Sequence, residues 1–229
     1  MELTSEWRIF HLLDKLRSTA AGLDQMPACF LRLEAPVFYK PLTRLFNLSI
    51  TTSTVPVQWK VARIRLIPKV SLPSCNANFR PISVTPVLAR LIEKVVVHEL
   101  IYPALLSPPP DLTFADQFAF QPSESTTAAL VYLLRTISQL LTVNPYVIVI
   151  ALDFSIAFDT VRHSSLLKKF AKLDLPDNVC NWLVDYFEDH SHCTSYQGET
   201  SKLLHISASI IQCSSVGQLP YIVTASDLQ

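Results

Sequence analysis

The chain has 229 residues, enough to bury a substantial core, and its 49% apolar and 17% charged residues are those of a globular protein rather than a disordered one. Nineteen basic and nineteen acidic side chains cancel, so no overall charge draws the molecule toward a polyanion. No apolar run approaches the roughly 20 residues of a membrane helix, and the N-terminus lacks the charged-then-apolar layout of a secretory signal, so an intracellular protein is expected.

Trp7, Phe10, Leu13 and Leu16 fall at helical spacing and predict an amphipathic helix over residues 5–18. A loop through Gly22, Asp24 and Pro27 follows. Residues 28–50 are helical again, with Pro36 and Pro41 tolerable only at helix starts or a break. Residues 61–68 alternate apolar and basic side chains, as a half-buried strand does, and residues 79–84 can pair back on them across the polar stretch 71–78. Pro86 can open a helix over 86–102, and Ser107 with Pro108, Pro109 and Pro110 makes a rigid loop. Ala128, Leu130, Val131, Leu134, Ile137 and Leu141 keep helical spacing over 125–141. The β-branched run 146–152 is too short for a helix and reads as a strand buried on both faces. Helices over 163–173 and 177–189, a weak hairpin over 194–206 through Gly198, and a helix in the tail 216–228 complete an α+β order.

The neutral total hides an asymmetry. Residues 55–102 carry Lys60, Arg63, Arg65, Lys69, Arg80, Arg90 and Lys94 against Glu93 and Glu99, a local excess of +5. Such a patch can neutralise phosphates in a salt-sensitive way, or can be a solvated surface. The five cysteines are odd in number and form no Cys-x-x-Cys pair, so buried free thiols are expected. His190, His192 and Cys193 are too tightly spaced for a zinc site, with no fourth ligand evident. With three glycines, Gly22, Gly198 and Gly217, most turns that need positive φ must be made by other residues.

The segment from Val149 to Asp159 places Asp153 directly after an apolar run. A carboxylate held at a strand end suits magnesium, which binds a few carboxylates together with substrate phosphates, and suits a two-metal phosphoryl-transfer site. The same position also suits a helix N-cap.

Asp153-Phe154-Ser155-Ile156-Ala157-Phe158-Asp159 resembles the first catalytic motif of reverse transcriptases from non-LTR (LINE-type) retroelements. Other landmarks follow in the family's order. Arg17 to Pro27 is similar to the entry segment, Trp59 to Lys69 to the first fingers motif, and Phe79-Arg80-Pro81-Ile82-Ser83 to the second. Asp116 to Thr127 is similar to the Gln-Phe-Gly-Phe-Arg-Pro stretch, Ile211 to Gly217 to motif B, and Asp227-Leu228 to the close of its helix. The resemblance implies the fingers and partial palm of a right-hand polymerase: a small antiparallel sheet on helices, with 1–54 a helical lead-in and 55–229 the reverse transcriptase domain.

It further implies roles. Asp153 would be the catalytic magnesium ligand, joined by the backbone carbonyl of Phe154. Lys69 and Arg80 would neutralise the incoming deoxynucleoside triphosphate. Phe158 would exclude a 2′-hydroxyl, or would simply pack inward. Gln212 would touch the nucleotide or template. RNA template and DNA primer are the implied partners. Gln121 and Ile156 stand where the family has arginine and lysine, and Cys213 and Gln218 where it has glycine and proline. The family's second acidic motif and its thumb have no counterpart before Gln229, so the chain by itself is expected not to polymerise. A non-catalytic module that keeps the fold to bind RNA or protein remains open.

Overall fold

The structure is a computed structural model and describes residues 3–110, 112, 114, 117–119, 124–152, 161–206 and 214–224. Helix α1 (Glu6–Asp14) starts at Ser5, whose hydroxyl caps the Arg8 N–H, and buries Ile9 and Leu13. Trp7, expected on the buried face, is 68% exposed and stacks on His11 instead. The helical stretch predicted over 28–50 is two helices, α2 (Ala28–Leu33) and α3 (Ala35–Thr51). The break at Glu34 has a local cause: in a continuous helix the Pro36 ring would press on the Arg32 carbonyl. Pro41 is carried inside α3.

Strands β1 (Val61–Pro68) and β2 (Phe79–Val84) form the predicted antiparallel hairpin, registered Arg63 to Val84 and Ile67 to Arg80. Helix α4 (Val87–Val95) opens behind Pro86 and runs through a π-helical turn (Val96–Ile101) into α5 (Tyr102–Leu106). Helices α6 (Thr126–Leu141, capped by Ser125), α7 (His163–Phe170) and α8 (Asp177–Phe187) follow. Strand β3 (Ser191–Tyr196) meets β4 (Glu199–Thr200) through a two-residue turn, Gln197 and Gly198, both at positive φ. Strand β5 (Leu204–His205) pairs with the first half of β3, and α9 (Ser215–Thr224) ends the described chain. As the glycine count implies, Gln25, Ser53, Asp189 and Gln197 take positive φ without being glycine.

Two expectations about strands are corrected. The sheet is mixed rather than antiparallel, because β3 lies parallel to β1, Val61 beside Ser191 through Arg65 beside Ser195. The parallel pairing starts at Ser191, three residues ahead of the hairpin expected over 194–206. Residues 146–152 form no strand: Ile148, Ile150 and Leu152 stand in solvent, Ile150 at 80%. A strand buried on both faces needs hydrogen-bonding neighbours and two covering layers. Among the described residues no strand pairs with this segment, and α6 before it buries none of its own residues.

The core gathers α1, α3, α4, α7, α8 and α9, with Phe46, Phe170 and Trp182 as its largest enclosed side chains. Trp182 donates from Nε1 to the Ser49 hydroxyl (3.0 Å), and that hydroxyl donates to the Thr54 carbonyl (2.6 Å). The α3–α8 junction is thereby closed without a buried unpaired indole. Of the described cysteines, Cys29 and Cys75 are exposed, Cys180 is half-buried and only Cys193 is buried, all as free thiols. The expectation of buried thiols fails for Cys29 and Cys75: Cys29 is on the exposed side of α2, whose Ala28 and Leu31 face the core, and Cys75 is in the β1–β2 loop. No described helix is long and apolar enough to cross a membrane.

Candidate functional site

The basic hairpin has a defined orientation. Side chains opposite one another across a ladder share a face. The pairs Arg63–Val84, Arg65–Ile82 and Ile67–Arg80 therefore place Arg63, Arg65 and Arg80 on one face of the β1–β2 ribbon. Arg65 and Arg80 are exposed and Arg63 is half-buried. The opposite face carries Phe79, whose ring meets Tyr196 of β3 edge-on at 5.5 Å. Lys69 lies at the end of the ribbon. Its backbone N–H donates to the Asn78 carbonyl (2.7 Å) and its ammonium to the Ala77 carbonyl (3.1 Å), so it closes the loop while remaining exposed. Among the described residues no carboxylate pairs with Arg63, Arg65, Lys69 or Arg80.

One basic residue of the run has a different task. Lys60 is 5% exposed and pairs with Asp185 of α8 at 3.0 Å. Asp185 also accepts the Val55 N–H at 2.6 Å. A buried ammonium is tolerable only with such a partner. The pair fixes where the chain leaves α3 and enters β1, and so aims the hairpin. Beside it, His190 is 1% exposed and neither ring nitrogen has a hydrogen-bond partner. Burial, then the charges of Lys60 and His163, lower its pKa to about 4, only partly offset by the nearby backbone of Tyr186 and Lys60.

A second polar cluster holds the start of α9. Ser214 caps this helix by accepting the Gly217 N–H at 2.9 Å. Glu93, fully buried on α4, accepts the Val216 N–H at 3.4 Å, and the Tyr186 and Ser214 hydroxyls share a 3.3 Å hydrogen bond beside it. A carboxylate at a helix N-terminus meets its positive end. Burial nevertheless pushes the Glu93 carboxyl upward, and the Tyr186 hydroxyl well upward, while the surrounding donors pull Glu93 back. The segment ahead of Ser214 contains Gln212, so this cluster anchors the described end of the motif B stretch. Sequence reading passed over Glu93. The available signal is an acid that, with its neighbour Lys94, interrupts an apolar helical run, Leu91-Ile92-Glu93-Lys94-Val95-Val96.

Of the residues assigned roles by resemblance, Lys69 and Arg80 are described and share one hairpin. Asp153, Phe154, Phe158 and Gln212 lie outside the described residues. Among the described residues no group of three His, Cys, Asp or Glu side chains could hold a metal ion. His192 and Cys193 are successive in β3 and face opposite sides of the sheet.

Residues 67–207, from the end of β1 to just beyond β5, match the family described as reverse transcriptase (RNA-dependent DNA polymerase). Over 213 residues the chain is 27% identical to the RNA-directed DNA polymerase from mobile element jockey of Drosophila melanogaster, covering 91% of this chain and 22% of that protein. It is 28% identical over 191 residues to the probable RNA-directed DNA polymerase from transposon BS of the same fly, covering 82% and 20%. Against the retrovirus-related Pol polyprotein from type-1 retrotransposable element R2 of Popillia japonica it is 27% identical over 143 residues, covering 62% and 19%. The chain thus spans about a fifth of the length of these relatives. With the match covering more than half of its residues and its motifs in the same order, the chain belongs to the reverse transcriptase (RNA-dependent DNA polymerase) family, as a domain of the non-LTR retroelement type.

Proposed function

We propose that this chain supplies the fingers and part of the palm of an RNA-directed DNA polymerase, and that its basic hairpin is the phosphate-neutralising element of that machinery. The single observation that carries the reading is the orientation of the hairpin. Arg63, Arg65 and Arg80 share one face, Lys69 stands at its end, and no described carboxylate competes for their charge. Lys69 and Arg80 would hold the triphosphate of an incoming deoxynucleotide, lysine as a point charge and arginine as a fork. The Lys60–Asp185 pair sets the hairpin's direction from beneath.

In this reading the helical lead-in 1–54 braces the domain 55–229 through contacts such as Trp182 with Ser49. Asp153 and the Phe154 carbonyl would hold magnesium, which in phosphoryl transfer neutralises developing charge on the phosphate oxygens. Phe158 would check the sugar and Gln212 the nucleotide or template. RNA template and DNA primer are the partners so implied.

Binding of a deoxynucleoside triphosphate over a salt series tests the hairpin's part in this. Lys69→Ala with Arg80→Ala should weaken that binding and reduce its salt dependence, because two charge-assisted contacts to phosphate are removed. Equal triphosphate binding by the hairpin variant and the parent would refute the assignment.

A further inference from the structure

Residues 146–152 are left without a neighbour. The alternate side chains Tyr146, Ile148, Ile150 and Leu152 are each 75–84% exposed, whereas Val147 between the first two is half-buried. Among the described residues no backbone N–H or C=O of this run takes part in a hydrogen bond. The run contains no charge, no glycine and no proline, and Pro145, which has no N–H to give a ladder, stands just ahead of it. Helix α6, which ends at Leu141, exposes Leu130, Val131 and Leu134 by more than half and carries one charge, Arg135. An uncharged, β-branched segment with an open backbone is a template for strand pairing.

The order of residues in the run says what fits it. Antiparallel pairing with a second copy, about a two-fold axis at Val149, sets Tyr146 opposite Leu152, Ile148 opposite Ile150 and Val147 opposite Ala151. The exposed row then meets the exposed row, in the aromatic–aliphatic and β-branched pairs that stabilise a ladder. Tyr146, Ile148, Val149, Ile150 and Leu152 expose roughly 700 Å² between them, close to the ~800 Å² that each partner contributes to a stable interface. The formal net charge is zero, so two copies do not repel at long range. A two-fold also closes at two copies. An in-register parallel stack would set whole chains at the ~4.8 Å spacing of strands, far narrower than the fold attached to each run.

We propose that residues 146–152 pair antiparallel with the same residues of a second copy, making this run the self-association face of the chain. After the cost of association, an apolar interface of this size retains an affinity of about 1–100 µM. At sub-micromolar protein the chain is a monomer and the run stands in solvent. The inference is independent of the basic hairpin and of the nucleic-acid reading.

Sedimentation velocity of the 229-residue chain, from sub-micromolar protein to about 100 µM, reads the assembly directly. The parent should pass from monomer to dimer across this range. Ile148→Lys with Ile150→Lys sets like charges opposite one another and should raise the dimer Kd at least about a hundredfold, with Tm unchanged in dilute solution. Ile148→Val with Ile150→Val keeps the apolar row and should still dimerise. Register is read by oxidation in a Cys29→Ser, Cys75→Ser background, which removes the two exposed thiols among the described cysteines. There Val149→Cys should give a disulfide-linked dimer, because its Cα meets that of its own copy at roughly 5 Å. Ala151→Cys should not, its two copies standing roughly 13 Å apart, beyond the ~7 Å that a disulfide spans. A parent that stays monomeric, an open-ended assembly, a dimer indifferent to the lysine pair, or equal cross-linking at both cysteine positions overturns the proposal. So does a lysine variant that fails to fold, because the run would then be covered within the monomer. A monomeric parent that binds phosphatidylcholine vesicles, and loses them with the lysine pair, would assign the run to a lipid surface and overturn the strand pairing.

Discussion

His190 makes a prediction that can be worked through from its surroundings. Its ring is enclosed beside Tyr186, Lys60 and His163, and its pKa falls from 6.5 to about 4. The folded state thus holds the neutral imidazole, whereas the unfolded chain takes up a proton near pH 6.5. Below that point the unfolded state binds more protons, so stability present at neutral pH is lost as pH falls from about 6.5 toward 4. Integrating between these two values, the loss on moving from about pH 7.5 to pH 5 is about 2 kcal/mol, and approaches about 3 kcal/mol near pH 4. For a chain of this size, 2 kcal/mol corresponds to a Tm change of about 4–8 °C. Urea denaturation followed by tryptophan fluorescence, in which buried Trp182 is a reporter, measures it at both pH values. His190→Leu has a similar volume and nothing to titrate. Its stability should fall between pH 7.5 and 5 by about 2 kcal/mol less than the parent's, and at neutral pH it should be no less stable, because two unpartnered buried nitrogens are removed. Identical pH slopes for parent and variant would show that His190 is not held neutral by burial.

Gly22→Ala forces a Cβ against the backbone of Thr85 and Pro86, with no flexible side chain to give way, and should cost about 1–3 kcal/mol, read as a lowered Tm. An unchanged Tm would show that the loop does not approach α4 as described. Ile150→Lys should change stability by less than about 0.5 kcal/mol, because the side chain stands in solvent; a loss of several kcal/mol in the same denaturation assay would mean that residues 146–152 are covered in solution.

Local chemistry was legible wherever a segment's own residues decide its conformation. The β1–β2 hairpin follows from alternation across 61–68 and 79–84, α4 from Pro86 followed by helical spacing, and the β3–β4 turn from Gly198. Long-range pairing was not legible. Nothing in Ser191 to Tyr196 announces that this strand will lie parallel to β1, because parallel register is set by partners distant in sequence. The run 146–152 shows the converse. Its β-branched residues have strand propensity, yet propensity cannot supply a neighbour, and the described fold supplies none. At the candidate site, Lys69 and Arg80 stand out in the sequence through their motifs and the charge asymmetry, and both lie on one hairpin. The Lys60–Asp185 pair and the Glu93 cluster were missed because each joins residues 90 or more positions apart, and no local pattern marks them.

The most direct measurement of the central claim is the affinity of the chain for a deoxynucleoside triphosphate in the presence of an RNA template annealed to a DNA primer. If the hairpin holds the triphosphate, Lys69→Ala and Arg80→Ala should each weaken that affinity by roughly tenfold or more, the loss expected of a charge-assisted hydrogen bond, while leaving thermal stability unchanged. Triphosphate binding that is equally tight in the parent and in both variants would contradict the account.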